Sequence, residues 1–168
     1  FSNGTTVRYA QLFKCEQVLR SDCNRGVSGI DGSTSTAAGA ACVGEEMTVL
    51  ITGDMSFSYD VNGLSSTYLS PRFKIIVMCN GGGGIFRFIK PTSDLPELET
   101  CFEIHRDISV EKYADLFGLR YFELNDEKSA AEVLSLFFAE KDRPAILAVH
   151  TPNVYNAEVL RGYFRRSR

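Results

Sequence analysis

The sequence contains 168 residues, of which 44% are hydrophobic and 23% are charged, and its formal net charge at pH 7 is −3. This length and composition are typical of a single globular domain, and the small net charge gives no overall electrostatic signature of nucleic-acid binding. No run approaches the roughly 20 consecutive apolar residues that span a membrane, and no secretion signal is visible. Five scattered cysteines without a C-x-x-C pair favour a reducing compartment, which we expect to be the cytoplasm.

The two ends of the sequence carry separate signals. The chain begins at Phe1 and runs at once into ordered-looking sequence, so we expect it to be a piece of a longer polypeptide. Arg161, Arg165, Arg166 and Arg168 near the other end are expected to form the solvated end of a helix, where cations are favourable.

Apolar patterns predict strands and helices that alternate along the chain. In chain order we predict helices at 8–19 and 33–43, a strand at 48–52, a helix at 59–69, a strand at 74–79, a helix at 110–117, a weaker strand at 119–124, a helix at 130–138 and a strand at 145–150. The strands are continuous and rich in β-branched residues, which is typical of strands buried on both faces. The alternation predicts an α/β domain with a parallel sheet and helices on both faces. Residues 81–100 show little periodicity, and we interpret them as a long functional loop.

Polar side chains follow two of the predicted strands. Asp54 comes after the strand at 48–52, and Asn80 follows the strand at 74–79 and precedes four glycines. A carboxylate, an amide oxygen and main-chain carbonyls are the hard oxygen ligands that Mg²⁺ prefers. The residue chemistry supports equally a structural reading, in which Asp54 begins a helix and Asn80 begins a turn.

A third segment is a glycine-rich loop that runs from Cys23 into an alanine-rich helix. It contains the string Asn24-Arg-Gly-Val-Ser-Gly-Ile-Asp-Gly32, with Ser35-Thr-Ala37 just beyond. Taken alone, this pattern indicates only that the backbone closely approaches a neighbouring group at the start of a helix.

These segments resemble a known family. Gly53-Asp54 followed by Asn80 resembles the metal–diphosphate motif of thiamine-diphosphate enzymes, and the string from Asn24 to Gly32 closely resembles the 2-succinyl-5-enolpyruvyl-6-hydroxy-3-cyclohexene-1-carboxylate synthases of menaquinone biosynthesis. Matches also occur at Asn3, Val7, Arg8, Gly82, Gly83, Ile85 and Phe86. The likeness covers essentially the whole chain but only the C-terminal third of such an enzyme, and it implies the thiamine-diphosphate-binding fold of a diphosphate-binding domain. The chain departs from the family at Gly4, where a serine is usual, and at Cys79, where a second asparagine is usual.

The resemblance implies roles for individual residues. Asp54, Asn80 and the carbonyl of Gly82 would bind Mg²⁺ or Mn²⁺, and Ile30 would be the aliphatic wedge beneath the cofactor. The implied cofactor-binding residues are Ser28, Ile30, Asp54, Met55, Ser56, Asn80 and Gly82. The implied substrate-binding residues are Arg8 and Arg25, which would pair with carboxylates, and Ile85, Phe86 and Ile89, which would form an apolar wall. Without the resemblance, the favoured interpretation of Arg8 is an ordinary exposed helix residue, and Ile85 and Phe86 fit core packing equally well.

The implied reaction is decarboxylation of 2-oxoglutarate and addition of the succinyl carbanion equivalent to isochorismate. The activating glutamate would lie on a separate pyrimidine-binding domain of a second subunit, in a homodimer or homotetramer. We therefore expect no catalytic residue in this chain and no activity from the chain alone. Two alternatives remain: the same domain of an acetolactate-synthase-like enzyme, or a non-catalytic ligand-binding α/β module. The absence of a G-x-G-x-x-G pattern after a strand argues against a dinucleotide site.

Overall fold

The structure is a computed structural model, and it describes residues 1–14, 16–103, 108–151 and 153–166. Cys15, His105 and Arg168 lie outside the described residues. Within the described residues, none of the helices is both long enough and apolar enough to span a membrane.

A parallel sheet forms the centre of the chain. Its four strands are β1 (Thr48–Gly53), β2 (Phe73–Cys79), β3 (Arg120–Leu124) and β4 (Ala145–His150), arranged in the order β1-β2-β4-β3. Every pair of neighbouring strands is parallel. All four predicted strands are confirmed, including the weaker candidate, because continuous apolar runs are needed where helices cover both faces of a sheet.

Six helices accompany the strands in the described part of the chain. They are α1 (Thr5–Ala10), α2 (Ser33–Val43), α3 (Asp54–Tyr59), α4 (Val110–Phe117), α5 (Ala130–Ala139) and α6 (Asn153–Arg166). The predictions of α2, α4 and α5 are confirmed, and α4 ends at Gly118 in a left-handed C-cap, as its sequence indicates. Of the basic residues near the end of the sequence, Arg161, Arg165 and Arg166 belong to α6, as expected.

The helices cover both faces of the sheet. On one face, buried residues of the strands pack with residues of α2, α3 and α4, among them Leu50, Ile75, Ile146, Ala38, Phe57 and Ala114. On the other face, Phe137 of α5 packs on Ala145 and Leu147. The predicted α/β class is therefore confirmed.

Two predicted helices are wrong in extent. The helix predicted at 8–19 is instead Thr5–Ala10, since the apolar residues beyond it are largely exposed: Phe13 is 69% and Leu19 is 86% exposed. The helix predicted at 59–69 is instead α3 followed by a 3₁₀ turn, Val61–Ser65. Here the carboxylate of Asp60 accepts hydrogen bonds from the amide and hydroxyl of Ser35 at the start of α2, which turns the chain away from α3.

The segment 81–100 contains no strand and no α-helix, as predicted. It is nevertheless more regular than a plain loop, because it contains 3₁₀ turns at Gly84–Arg87 and Thr92–Asp94. A π-helical turn, Leu98–Phe102, follows and overlaps its end.

Candidate functional site

Asp54 and Asn80 lie together at the carboxyl end of the sheet. Parallel pairing of β1 with β2 sets Gly53 beside Met78, so the residues that follow each strand meet at one edge. The Asp54 Oδ2 atom accepts hydrogen bonds from the amides of Asn80, Gly81 and Gly82 at 3.0, 2.8 and 3.1 Å. Its Oδ1 atom accepts the amide of Met55 at 2.8 Å. One carboxylate therefore holds the glycine loop of the neighbouring strand in place.

The loop presents its amides to this carboxylate through its backbone conformation. Gly81, Gly82 and Gly83 all have positive φ angles, of 85°, 87° and 67°. Consecutive left-handed residues of this kind form a concave arrangement of N–H groups that suits an anion, and here the anion is Asp54. The amide of Gly82 also donates to the side-chain oxygen of Asn80, at 3.0 Å.

The electrostatics of Asp54 favour a cation nearby. The residue is only 4% exposed, and this burial raises the pKa of its carboxyl group, although the four backbone amides act in the opposite direction. A buried carboxylate is stabilised in its charged form by a neighbouring positive charge. Oδ1 accepts one of the four hydrogen bonds and Oδ2 three, so Oδ1 has more acceptor capacity left.

A metal ion at this edge would depend on few charged ligands. Across the residues that the structure describes, no group of three or more His, Cys, Asp or Glu side chains could hold a metal ion. A cation would therefore need the Asp54 carboxylate together with neutral oxygens such as that of Asn80, a donor set that fits Mg²⁺ with phosphate and water completing its shell.

A cavity of about 690 Å³ opens beside these two residues. Seven of the residues implied by the resemblance line it: Ile30, Asp54, Met55, Ser56, Asn80, Ile85 and Phe86. The hydroxyl of Ser56 donates to the carbonyl of Ile30 at 2.6 Å, and this hydrogen bond ties the loop of the Asn24–Gly32 string to α3. The structure thus brings the separate sequence motifs to one place.

Five implied residues do not line the cavity: Arg8, Arg25, Ser28, Gly82 and Ile89. Arg8 donates to the carbonyl of Gly4 at 2.7 Å, and Arg25 donates to the side-chain oxygen of Asn3 at 2.8 Å, so both guanidinium groups are engaged within the chain. The substrate-binding roles of these two arginines stay predictions. Gly82 still belongs to the loop held by Asp54.

Several cavity residues were not found from the sequence. They include Tyr9, Phe13, Phe88, Cys101, Phe102, Thr151 and Asn156. The rings of Phe86 and Phe102 lie 5.3 Å apart and extend the apolar wall. Phe88 and Phe102 could have been suspected because they are apolar residues in an otherwise irregular segment. No pattern in the sequence indicates that Thr151 and Asn156 line the cavity.

Comparisons with known proteins agree with this geometry. The family described as thiamine pyrophosphate enzyme, C-terminal TPP binding domain, matches residues 3–149. A 2-succinyl-5-enolpyruvyl-6-hydroxy-3-cyclohexene-1-carboxylate synthase of Porphyromonas gingivalis is 47% identical over 97% of this chain and 28% of its own length. The synthase of that name from Christiangramia forsetii is 42% identical over 98% of this chain and 28% of its own length. The resemblance read from the sequence is therefore confirmed, and the chain spans less than a third of these relatives.

A solved structure shares the fold. It is a thiamine diphosphate-dependent 4-hydroxybenzoylformate decarboxylase of Rhodococcus jostii RHA1, with a TM-score of 0.58 and 24% sequence identity over 69% of this chain and 22% of that one. At that identity the likeness concerns the fold. Together with the match over residues 3–149, it shows that the chain belongs to the family of C-terminal thiamine pyrophosphate-binding domains of thiamine pyrophosphate enzymes.

Proposed function

We propose that this chain is the cofactor-binding domain of a longer 2-succinyl-5-enolpyruvyl-6-hydroxy-3-cyclohexene-1-carboxylate synthase, and we call that longer protein the complete enzyme. The observation that carries the proposal is the buried Asp54 carboxylate, which organises the loop after β2 beside a cavity of about 690 Å³. Relatives of this name, 42% and 47% identical over nearly the whole chain, support the choice of reaction.

The proposed cofactor is thiamine diphosphate with Mg²⁺ or Mn²⁺. Asp54, Asn80 and the carbonyl of Gly82 would hold the metal, and Ile30, Met55 and Ser56 would contact the cofactor from the cavity wall, with Ser28 close by on the same loop. When bound, thiamine diphosphate supplies a carbon nucleophile and accepts the electron pair released by decarboxylation. The chain's own contribution is to bind and orient that group and to keep water away from it.

The proposed substrates are 2-oxoglutarate and isochorismate. Ile85 and Phe86 line the cavity and would form the apolar wall beside the reacting atoms, together with Phe102, which packs on Phe86. Apolar walls exclude water and so strengthen the electrostatic interactions of charged substrates. Arg8 and Arg25 donate from Nη1 to Gly4 and Asn3, respectively, and they would bind substrate carboxylates through other guanidinium N–H groups or after leaving these partners.

The complete enzyme would require a second subunit. We propose that the pyrimidine-binding domain of that subunit supplies the activating glutamate, in a homodimer or homotetramer. The 168-residue chain alone should therefore show no synthase activity and should bind the cofactor weakly, because only one side of the cleft would be present.

The test is calorimetric titration of thiamine diphosphate into the complete enzyme, with and without Mg²⁺, for the wild type and for Asp54→Ala. We expect Asp54→Ala to weaken metal-dependent binding by at least about 100-fold, since the substitution removes a ligand and the acceptor of four amides. Asp115→Ala, at an exposed position on α4, is the matched control and should leave the affinity within about twofold.

Product analysis decides the reaction. The wild-type enzyme should consume 2-oxoglutarate and isochorismate with release of CO₂. Metal-dependent binding that survives Asp54→Ala would overturn the cofactor assignment, and formation of acetolactate from pyruvate would overturn the choice of substrates.

A further inference from the structure

Arg87 connects two segments at the rim of the cavity through a largely buried ion pair. Its Nη2 atom donates to Glu99 Oε1 at 2.7 Å and to Glu103 Oε2 at 2.6 Å. The Arg87 side chain is 16% exposed and that of Glu103 is 0% exposed. Charge-assisted hydrogen bonds to a buried carboxylate fix the position of a guanidinium far better than exposed pairs do. The turn Gly84–Arg87 is therefore held firmly against the segment 98–103.

The same two segments form the apolar side of the cavity. Ile85 and Phe86 precede Arg87 directly, and Phe102 precedes Glu103. The rings of Phe86 and Phe102 lie in contact, 5.3 Å apart. The ion pair between Arg87 and Glu103 thus sets the distance between the two halves of this wall.

The backbone of Arg87 is also fixed from a third direction. Arg161 of α6 donates a hydrogen bond from its Nη2 atom to the carbonyl oxygen of Arg87. Asn156 of the same helix lines the cavity. The position of Arg87 therefore depends on the turn, on the 98–103 segment and on the last helix together.

The glycine loop that we propose to bind the metal has hydrogen bonds of its own, although Gly83 at its end lies close to the backbone of Phe102 and Glu103. The amide of Gly82 is bound by Asp54 and by Asn80, at 3.1 and 3.0 Å, without participation of Arg87. Loss of the Arg87 side chain should consequently disturb the apolar wall much more than the cofactor loop.

We propose that Arg87 is a positioning residue that holds the apolar wall formed by Ile85, Phe86 and Phe102 in place for the ring-bearing acceptor. This inference rests on the proposed function. The acceptor, isochorismate, carries a carbon ring that needs apolar surface, whereas the donor, 2-oxoglutarate, is a short dicarboxylate. Displacement of the wall should therefore weaken the binding of isochorismate more than the binding of 2-oxoglutarate.

The experiment compares Arg87→Met and Arg87→Lys in the complete enzyme. We expect Arg87→Met to raise the KM for isochorismate by about tenfold or more, because small displacements of a positioning group are costly. The KM for 2-oxoglutarate, kcat and the Kd of thiamine diphosphate should each change by less than about threefold. Arg87→Lys should recover part of the loss, since it keeps the charge but not the planar geometry that reaches both glutamates.

A second measurement does not depend on activity. Hydrogen–deuterium exchange of residues 84–103 should be faster in Arg87→Met than in the wild type, and the amides of 80–82 should be unchanged. Arg20→Met is the matched control, because Arg20 forms an exposed ion pair with Asp22 at 2.6 Å and neither residue lines the cavity. It should alter neither the exchange nor the KM values.

The outcomes separate this inference from the proposed function. Faster exchange with an unchanged KM for isochorismate would show a purely structural ion pair and would overturn the positioning role. Unchanged exchange would overturn it as well. If Arg87→Met does not fold, the positioning role is tested with Arg87→Lys and Glu103→Gln, again by hydrogen–deuterium exchange of residues 84–103 and by the KM for isochorismate. A folded wild-type enzyme that makes no product from isochorismate contradicts the proposed function, and in that case the exchange data still show whether Arg87 holds the wall.

Discussion

Replacement of Gly83 by alanine places a methyl group where the structure has no room for one. Gly83 has a φ angle of 67°, and an added Cβ atom would lie 2.7 Å from the Cα atom of Glu103 and closer still to the carbonyl oxygen of Phe102. Both of these atoms belong to the backbone, so they cannot move aside as a flexible side chain could. Either the glycine loop or the segment 98–103 must shift.

The size of the effect follows from comparison with Gly118. That residue has almost the same φ angle, 68°, but an added Cβ atom there meets nothing within 4 Å. Gly118→Ala therefore measures the left-handed strain alone, about 1 kcal/mol after the lower entropy of the unfolded alanine chain is subtracted. Gly83→Ala adds the cost of overpacking, about 1–3 kcal/mol, and should lower the free energy of unfolding by about 2–4 kcal/mol in total.

Urea denaturation of the chain, followed by circular dichroism, measures both free energies of unfolding. The extra loss in Gly83→Ala should also appear as a Tm about 2–12 °C below that of Gly118→Ala. Equal free energies of unfolding for the two variants, within about 0.5 kcal/mol, would refute the close contact between the glycine loop and the 98–103 segment.

Three further variants test the packing of the domain. Gly39→Ala, inside α2 where an added Cβ atom meets nothing within 4 Å, should raise the free energy of unfolding by about 0.5–1 kcal/mol, and a lower value in urea denaturation would contradict the open space there. Phe137→Ala, at a residue with 0% exposure, should lower the free energy of unfolding by about 3–5 kcal/mol. Phe138→Ala, at a residue with 38% exposure, should lower it by less than about 2 kcal/mol. Burial lowers the pKa of Lys74 below its usual 10.5, so the folded chain binds fewer protons than the unfolded chain between the two pKa values. That group therefore makes the free energy of unfolding rise with pH over this range, and the rise should be absent in Lys74→Met when both proteins are denatured across a pH series.

The sheet could be predicted because its signals are local. Residues 74–79 and 145–150 are continuous apolar runs, and such a run identifies a buried strand without knowledge of which strands lie beside it. The helix predicted at 59–69 failed for the opposite reason. The contact of Asp60 with Ser35 joins residues 25 positions apart, and no periodicity within the segment reports it.

The same distinction applies to the site. Asp54 and Asn80 could be placed together because parallel strands end at the same edge. The side chain of Arg25 could not be placed, because its direction depends on the particular hydrogen bond to Asn3. The ion pair of Arg87 with Glu103 was also not predicted, since it lies in a segment without periodicity and depends on which turns form there.

Asn80 offers a way to separate the two roles that Asp54 combines. Asp54 shapes the glycine loop through three amides and is also our proposed metal ligand, so its removal disturbs both. The side chain of Asn80 accepts one amide, that of Gly82, which keeps its second bond to Asp54. Asn80→Ala should therefore weaken Mg²⁺-dependent cofactor binding by about tenfold or more in calorimetry while hydrogen exchange of residues 80–82 stays close to the wild type. Weak binding accompanied by rapid exchange would mean that Asn80 acts through the shape of the loop. Unchanged binding would show that the amide oxygen of Asn80 is not a metal ligand, and the cation would then be bound by Asp54 and main-chain oxygens.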